Sequence, residues 1–334
     1  MIESVDLQDE AALAEWFEPV RAADLADWPD GSGWALRELA VLIRDRTAST
    51  SELAVVRGDD GDVEASAWVR MPERENRQVA EVRLVVHPRW RGRGSGRALL
   101  DHCEQMVRSR DRHTIVATTD EPVREAEASA SARFARAAGY EPALAEARRS
   151  LALPVDPAFL DRLEAACLCF SSAYELVAWI GACPDGYLDG RVALARSIST
   201  DAPQGKLAKE ADDVDADRIR TFEKAIDAMD RDEYSAGAVE TSTGELVGFT
   251  EIGVPRTLPK HAYQFDTVVL HAHRGHRLGT LLKIANLRAL AERSPATEYV
   301  LTWNAIENDP MIRVNDMLGF EVVGLGTAWQ KDLP

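Results

Sequence analysis

The strongest constraint on how this chain folds is a stretch that occurs twice. The first copy reads VRLVVHPRWRGRGSGRALL from Val82 and the second TVVLHAHRGHRLGTLL from Thr267. Arg91 superposes on Arg274, an offset of 183 residues (274 − 91). Each copy runs from an apolar β-branched strand, through a basic glycine-containing turn, into an amphipathic helix. That layout suits a pyrophosphate: glycine lets the backbone approach, successive N–H groups face the oxygens, and the positive helix end completes the site. The spacing Arg91-x-x-Gly94-x-Gly96 differs from both the nucleotide P-loop and the dinucleotide Gly-x-Gly-x-x-Gly.

The surrounding periodicity predicts the same order of elements in both halves. In the first, helices over Gln8–Ala23 and Gly33–Asp45 precede strands at Glu52–Arg57, Val63–Arg70 and Val79–His87. A helix over Gly94–Arg110, a strand at Thr114–Thr118, a helix over Arg124–Ala138 and two closing strands, Tyr140–Leu144 and Arg149–Leu153, follow. In the second, the strand Tyr174–Ile180 and the helices Tyr187–Ser199 and Ala216–Asp230 flank a polar loop, Asp201–Asp215. Strands at Ser235–Glu240, Leu246–Val254 and Tyr263–Leu270 lead to the helix Arg277–Arg293, the strand Tyr299–Trp303 and the helix Pro310–Leu318. Short strands at Phe320–Val323 and Ala328–Lys331 close the half. The expectation is an α/β chain of two tandem domains, 1–153 and 173–334, joined by a linker at 154–172, each a mixed, mostly antiparallel sheet flanked by helices.

At 334 residues each half has room for its own core, and the net charge of −17 argues against a nucleic-acid partner. The basic turns are then local exceptions on an acidic chain. Cys103, Cys167, Cys169 and Cys183 make neither a C-x-x-C pair nor a disulfide framework, which suits a reducing cytoplasm. No secretory leader or membrane-spanning apolar run is read, so a membrane partner is not expected. His271, His273 and His276 cluster at the second turn, but no Cys or acidic partner completes a metal set, and no metal is expected.

The element order, the turn, and the endings Ala138-Gly139-Tyr140 and Leu318-Gly319-Phe320 together resemble the GNAT superfamily of N-acetyltransferases, twice over. The tandem arrangement is similar to that of mycothiol-synthase-like actinobacterial acetyltransferases. The resemblance implies that acetyl-CoA lies in a V opened between the fourth and fifth strands. A substrate amine attacks the thioester directly, while a backbone N–H of the fourth strand polarises its oxygen. It places the cofactor on Val85, Val86, Arg91, Gly92, Gly94, Ser95 and Gly96 in the first half. In the second half it places it on Val268, Val269, Arg274, Gly275, His276, Arg277, Gly279, Thr280, Asn304 and Asn308.

The copies depart from the family pattern at different points. The first half has Ala128 and Ala135 where the family carries an Asn and a Tyr, so it reads as a degenerate copy that still binds CoA. The second keeps Asn308 but has Asn315 at the tyrosine position, and Arg277 replaces its first glycine. Arg277 serves the phosphate provided its backbone stays helical. An attacking ammonium must lose a proton, so a carboxylate base is sought: Glu81 in the first half, Glu251 and Asp266 in the second. The leading expectation is acetyl transfer to a small-molecule amine in the C-terminal half of a monomer or homodimer. The Asp201–Asp215 loop would close over the acceptor. The alternatives are a non-catalytic acyl-CoA-binding or regulatory protein, or catalysis in the first half with Glu81 as base.

Overall fold

The computed structural model describes residues 1–31, 33–123, 129–201 and 203–334. It divides into two compact units, neither of them a continuous piece of chain. One comprises 1–146, 204–210 and 324–334; the other comprises 147–203 and 211–323.

In the first unit, β1 (Ile2–Ser4), β2 (Ser49–Arg57), β3 (Val63–Pro72), β4 (Val79–Val86) and β5 (Thr114–Pro122) lie side by side in chain order. All neighbours are antiparallel except β4 and β5. Helix α1 (Glu10–Asp27) starts where the Asp9 carboxylate accepts from the N–H groups of Ala11 and Ala12, filling two of the orphan donors of a first turn. With α2 (Leu36–Arg44) it buries Leu13, Trp16, Leu39 and Ile43 on one face of the sheet. On the other face α3 (Ser95–Ser109) buries Leu99, Leu100, Cys103 and Val107, a stripe at helical spacing. Each such side chain contributes roughly 1.5–3 kcal/mol over its exposed state. Helix α4 spans Ala130–Ala137, and Ala135 packs against this second core. Ala128 lies outside the described residues.

The second unit repeats the layout with β7 (Tyr174–Ile180), β8 (Arg231–Glu240), β9 (Leu246–Pro255), β10 (His261–Val269) and β11 (Tyr299–Ala305). Helix α8 (Leu278–Arg293) packs on one face through Ile284, Leu287 and Leu290. Helix α6 (Leu188–Asp201) covers the other face, where Leu194 meets Phe249 and Val268. Helices α7 (Ala216–Ala228) and α9 (Asp309–Leu318) complete the unit. Residues 154–172 do not form a bare linker: they contain α5 (Pro157–Leu168), whose Leu160 and Phe159 belong to the α8 core.

Two strands that the sequence breaks in half are continuous. Strand β6 runs Glu141–Ala152 and β12 runs Glu321–Asp332. The apolar alternation fails in the middle because each strand passes from one unit to the other. Residues 141–146 of β6 serve the first unit and 147–152 the second, where Leu151 enters the core. Gly324–Asp332 of β12 pair antiparallel with Pro122–Thr114 of β5, so the chain's last strand completes the first unit. The expected Asp201–Asp215 loop divides in the same way. Its residues 204–210 belong to the first unit, where Lys206 N–H donates to Ala143 O (2.8 Å) and Glu210 N–H to Asn76 Oδ1 (2.6 Å).

Candidate active site

In both units the parallel strand pair is joined only at its beginning. Val79–Glu81 of β4 pair with Thr114–Val116 of β5, and His261–Tyr263 of β10 with Tyr299–Leu301 of β11. Beyond those residues the ladders end although the strands continue. Backbone N–H and C=O groups along Val85–Val86 and Val268–Val269 therefore face an opening that an extended ligand can fill.

The units differ at the edge of that opening. The β3–β4 register is continuous from Arg70↔Glu81 to Ala65↔Val86. In the second unit Gln264 lies opposite Ile252 and Thr267 opposite Thr250, so Phe265 and Asp266 together oppose Glu251. This β-bulge turns backbone groups out of the ladder. Buried polar side chains hold it. Gln264 Nε2 donates to Glu251 O (2.6 Å) and Thr250 Oγ1 (3.0 Å), while Thr250 and Thr267 share a hydroxyl contact of 2.7 Å. Asn286 Nδ2 reaches Tyr234 O at 2.9 Å. Gln264 occupies the position of Glu81, and the change from acid to amide supplies the donor that ties the bulge.

The two turns are built alike. Gly92 and its counterpart Gly275 have φ of 78° and 87°, and Gly94 has 99°, left-handed values that glycine adopts without strain. The first N–H groups of α3 and α8 have no intrahelical partner and point into the turn with the helix dipole. Arg277, at the start of α8, is also left-handed, with φ 57°. That corrects the expectation of a helical backbone there: the N-cap needs the positive φ that glycine has in the first turn. Gly96 and Gly279 are not equivalent. A Cβ at Gly96 would stand 2.9 Å from Val86 Cγ2, whereas one at Gly279 would meet only ordinary contacts with Val314 and Thr267.

Several groups expected on the phosphate are otherwise engaged. Arg91 grips Asp27 with two hydrogen bonds (3.0 and 2.7 Å) and reaches Val86 O (3.4 Å). Arg274 pairs with Asp201 and reaches Val269 O (3.1 Å). The Ser95 hydroxyl donates to Glu64, and Thr280 is buried. His276 Nδ1 contacts Phe170 O (2.9 Å) and His273 Nδ1 the Tyr174 hydroxyl (3.1 Å), while the Arg277 guanidinium lies over the Phe170 ring. The described residues contain no group of three or more His, Cys, Asp or Glu placed to hold a metal ion.

The three candidate carboxylates stand in different surroundings. The Glu81 side chain is 50% exposed and pairs with Arg70 at 2.9 Å. Asp266 is exposed in the bulge itself. Glu251 is only 3% exposed, and its apolar neighbours seal it instead of presenting it. It sits 3.4 Å from the Arg191 guanidinium, which stacks over Phe249, and beside the buried Glu233. Burial pushes the Glu251 carboxyl up to about 8, against the pull of Arg191 and with the push of Glu233.

Asn308 is the N-cap of α9, its Oδ1 accepting from Met311 N–H (3.3 Å). Asn304, at the end of β11, accepts at Oδ1 from Asn315 Nδ2 (2.6 Å), and Asn315 Oδ1 accepts from Lys283 Nζ (2.7 Å). Lys283 is 1% exposed, and burial lowers its ammonium to about 7, helped by the nearby charge of Arg149. The sequence reading did not single it out. Its signal is a lysine on the apolar stripe of α8, between Leu282 and Ile284.

Comparison with known proteins agrees with this geometry. Residues 11–140 match the sequence profile of the acetyltransferase (GNAT) family. A search of curated proteins finds no match. Among solved structures, a tandem GNAT protein from the clavulanic acid biosynthesis pathway, determined without AcCoA, superposes with a TM-score of 0.80 at 29% identity. The match covers 99% of this chain and 98% of that one. A GCN5-related N-acetyltransferase from Sphaerobacter thermophilus gives 0.66 at 17% identity, over 99% and 95% of the two chains. Saccharomyces cerevisiae N-myristoyltransferase with bound myristoyl-CoA gives 0.59 at 11%, over 99% and 79%; these last two are likenesses of fold.

Proposed function

We propose that this chain is a tandem GNAT N-acetyltransferase whose second unit transfers the acetyl group of acetyl-CoA to a small-molecule amine; the family match over residues 11–140 and the likeness to a tandem GNAT protein support this. The observation that carries this reading is the bulge at Phe265–Asp266, which β4 of the first unit lacks. A backbone N–H turned out of β10 there polarises the thioester oxygen where negative charge develops. The strand edge at Val268 and Val269 receives the pantetheine arm. The N–H groups from Gly275 through His276 and Arg277 to Gly279 and Thr280 face the pyrophosphate, and the amides of Asn304 on β11 and Asn308 at the start of α9 face the arm from the other side.

Asp266 takes the ammonium proton through water, because it is the candidate carboxylate open to solvent at the bulge. Glu251 is held in its buried cluster with Arg191 and Glu233 and sets the field behind the bulge. The amine nitrogen attacks the carbonyl carbon, the C–S bond breaks, and the thiolate receives a proton from solvent.

The first unit is a second CoA-binding site, using Val85, Val86, Gly92, Gly94 and Gly96, without chemistry of its own. Glu81 does not serve as a base in this reading, since Arg70 holds it on a strand with no bulge. Four free thiols suit work in the cytoplasm. Acetyl transfer to a panel of amines by variants that disable one turn at a time tests the assignment.

A further inference from the structure

Lys283 stands out among the buried charged groups. Among the described residues its ammonium has no carboxylate partner; it meets one amide oxygen and the face of the Phe320 ring, 5.3 Å away. An isolated buried charge costs several kcal/mol unless it does something that an apolar residue cannot. What it does follows from hydrogen-bond inventory. An ammonium has only donors, so the atom that Asn315 turns toward Lys283 must be its oxygen. The NH2 group of Asn315 then faces Asn304, which must answer with its own oxygen. The NH2 group of Asn304 is left as the end of the chain, at the last turn of β11, past the point where β10 and β11 part.

We infer that Lys283 is a positioning residue that fixes the polarity of the Asn315–Asn304 amide pair, so that Asn304 presents a donor, and not an acceptor, to the opening between β10 and β11. This deepens the proposal that the second unit holds acetyl-CoA. The arm of that molecule carries amide carbonyls and ends in a sulfur that becomes anionic as the C–S bond breaks, and both favour a donor. The first unit has no equivalent: Leu100 occupies the position 183 residues before Lys283, and Ala135 packs in the core of α4. Among the charged groups near Lys283, Arg149 on β6 is a cation that repels it, and the carboxylate of Asp316 on α9 is taken up by Arg149 at 2.5 Å.

The test inverts the polarity while keeping the volume. Asn315→Asp keeps an acceptor toward Lys283 and gives it a counter-ion, but offers Asn304 only acceptors. Asn304 must then turn its NH2 inward and its oxygen toward the opening. Binding of CoA and of acetyl-CoA is measured by calorimetry in a Gly94→Leu background, so that heat from the first unit's turn is suppressed. The expected result is a raised Tm for Asn315→Asp together with affinity weakened about tenfold or more. Lys283→Met, which lets both amides turn, should give a smaller loss. Unchanged affinity in a folded Asn315→Asp protein overturns the positioning role while leaving the proposed function standing. No CoA binding by the Gly94→Leu protein itself overturns the proposed function instead.

Discussion

Arg274 pairs with Asp201, the last residue of α6, as Arg91 pairs with Asp27, the last residue of α1. Each arginine also donates to the carbonyl of the strand residue five positions before it. The repeat thus preserves a tie between turn and helix more strictly than it preserves the glycines. The guanidinium braces the turn from behind while the backbone faces the ligand.

From this follows a first prediction. Arg274→Ala and Asp201→Ala should weaken acetyl-CoA binding by similar, modest factors, and the double variant should be little worse than either single one. The partly exposed pair is worth about 0.2–1 kcal/mol, so each factor should stay below about tenfold. Calorimetric affinities for the four proteins check this. A loss of a hundredfold for Arg274→Ala beside a gain for Asp201→Ala would mean that the guanidinium binds the phosphate itself.

The two carboxylates of the second unit should separate in rate and in stability. Asp266→Asn should lower turnover by roughly 10²–10⁴-fold, the usual worth of a positioned base, with partial recovery at high pH where more amine arrives deprotonated. Glu251→Gln should change turnover far less. Its effect should appear in stability, because the folded state raises the Glu251 carboxyl from 4.5 to about 8. Such a group contributes stability below its unfolded value that is lost as pH rises through its folded value. The Tm of Glu251→Gln relative to the unaltered protein should therefore climb between about pH 5 and about pH 8. A pH-independent difference, or an Asp266→Asn protein with normal turnover, would contradict these assignments.

The exchange of strands makes a third prediction. Lys331 on β12 donates to the buried Glu104 (2.7 Å) and to Ala138 O (2.9 Å). A chain ending at Val323 loses the partner of β5 and leaves the Glu104 carboxylate with only Arg108 (3.6 Å) and the Tyr140 hydroxyl (3.4 Å). It should lose the first unit's thermal transition and keep that of the second, whose residues end at Val323. An unaltered melting profile by calorimetry would contradict the division into units.

The repeat, the turns and most elements were legible because they depend on local pattern: β-branched runs, helical stripes, and glycines where φ must be positive. Strand β7 coincides with its expected span, Tyr174–Ile180. What was not legible depends on pairing. Residues Phe265–Asp266 carry no local mark of a bulge; it exists because Gln264 bonds across to Glu251 O. The middle of β6 looks like a break because its two halves serve different cores. Glu251 promised a base on the strength of apolar neighbours, and the same neighbours bury it. Lys283 is visible only as a charge on an apolar stripe until Asn315 and Asn304 are brought to it.

The most direct test of the account compares initial rates of acetyl transfer by Gly94→Leu and Gly275→Leu. Gly275 corresponds to Gly92, and Gly94 to Arg277, but both substituted positions are left-handed turn glycines, and a Cβ at either meets nothing within 4 Å. Each substitution strains its own turn by about 1–2 kcal/mol and leaves the other intact. Gly94→Leu should lose one CoA-binding event but keep most of the turnover, while Gly275→Leu should lose turnover nearly completely in a folded protein. The reverse pattern would place the chemistry in the first unit and contradict the account.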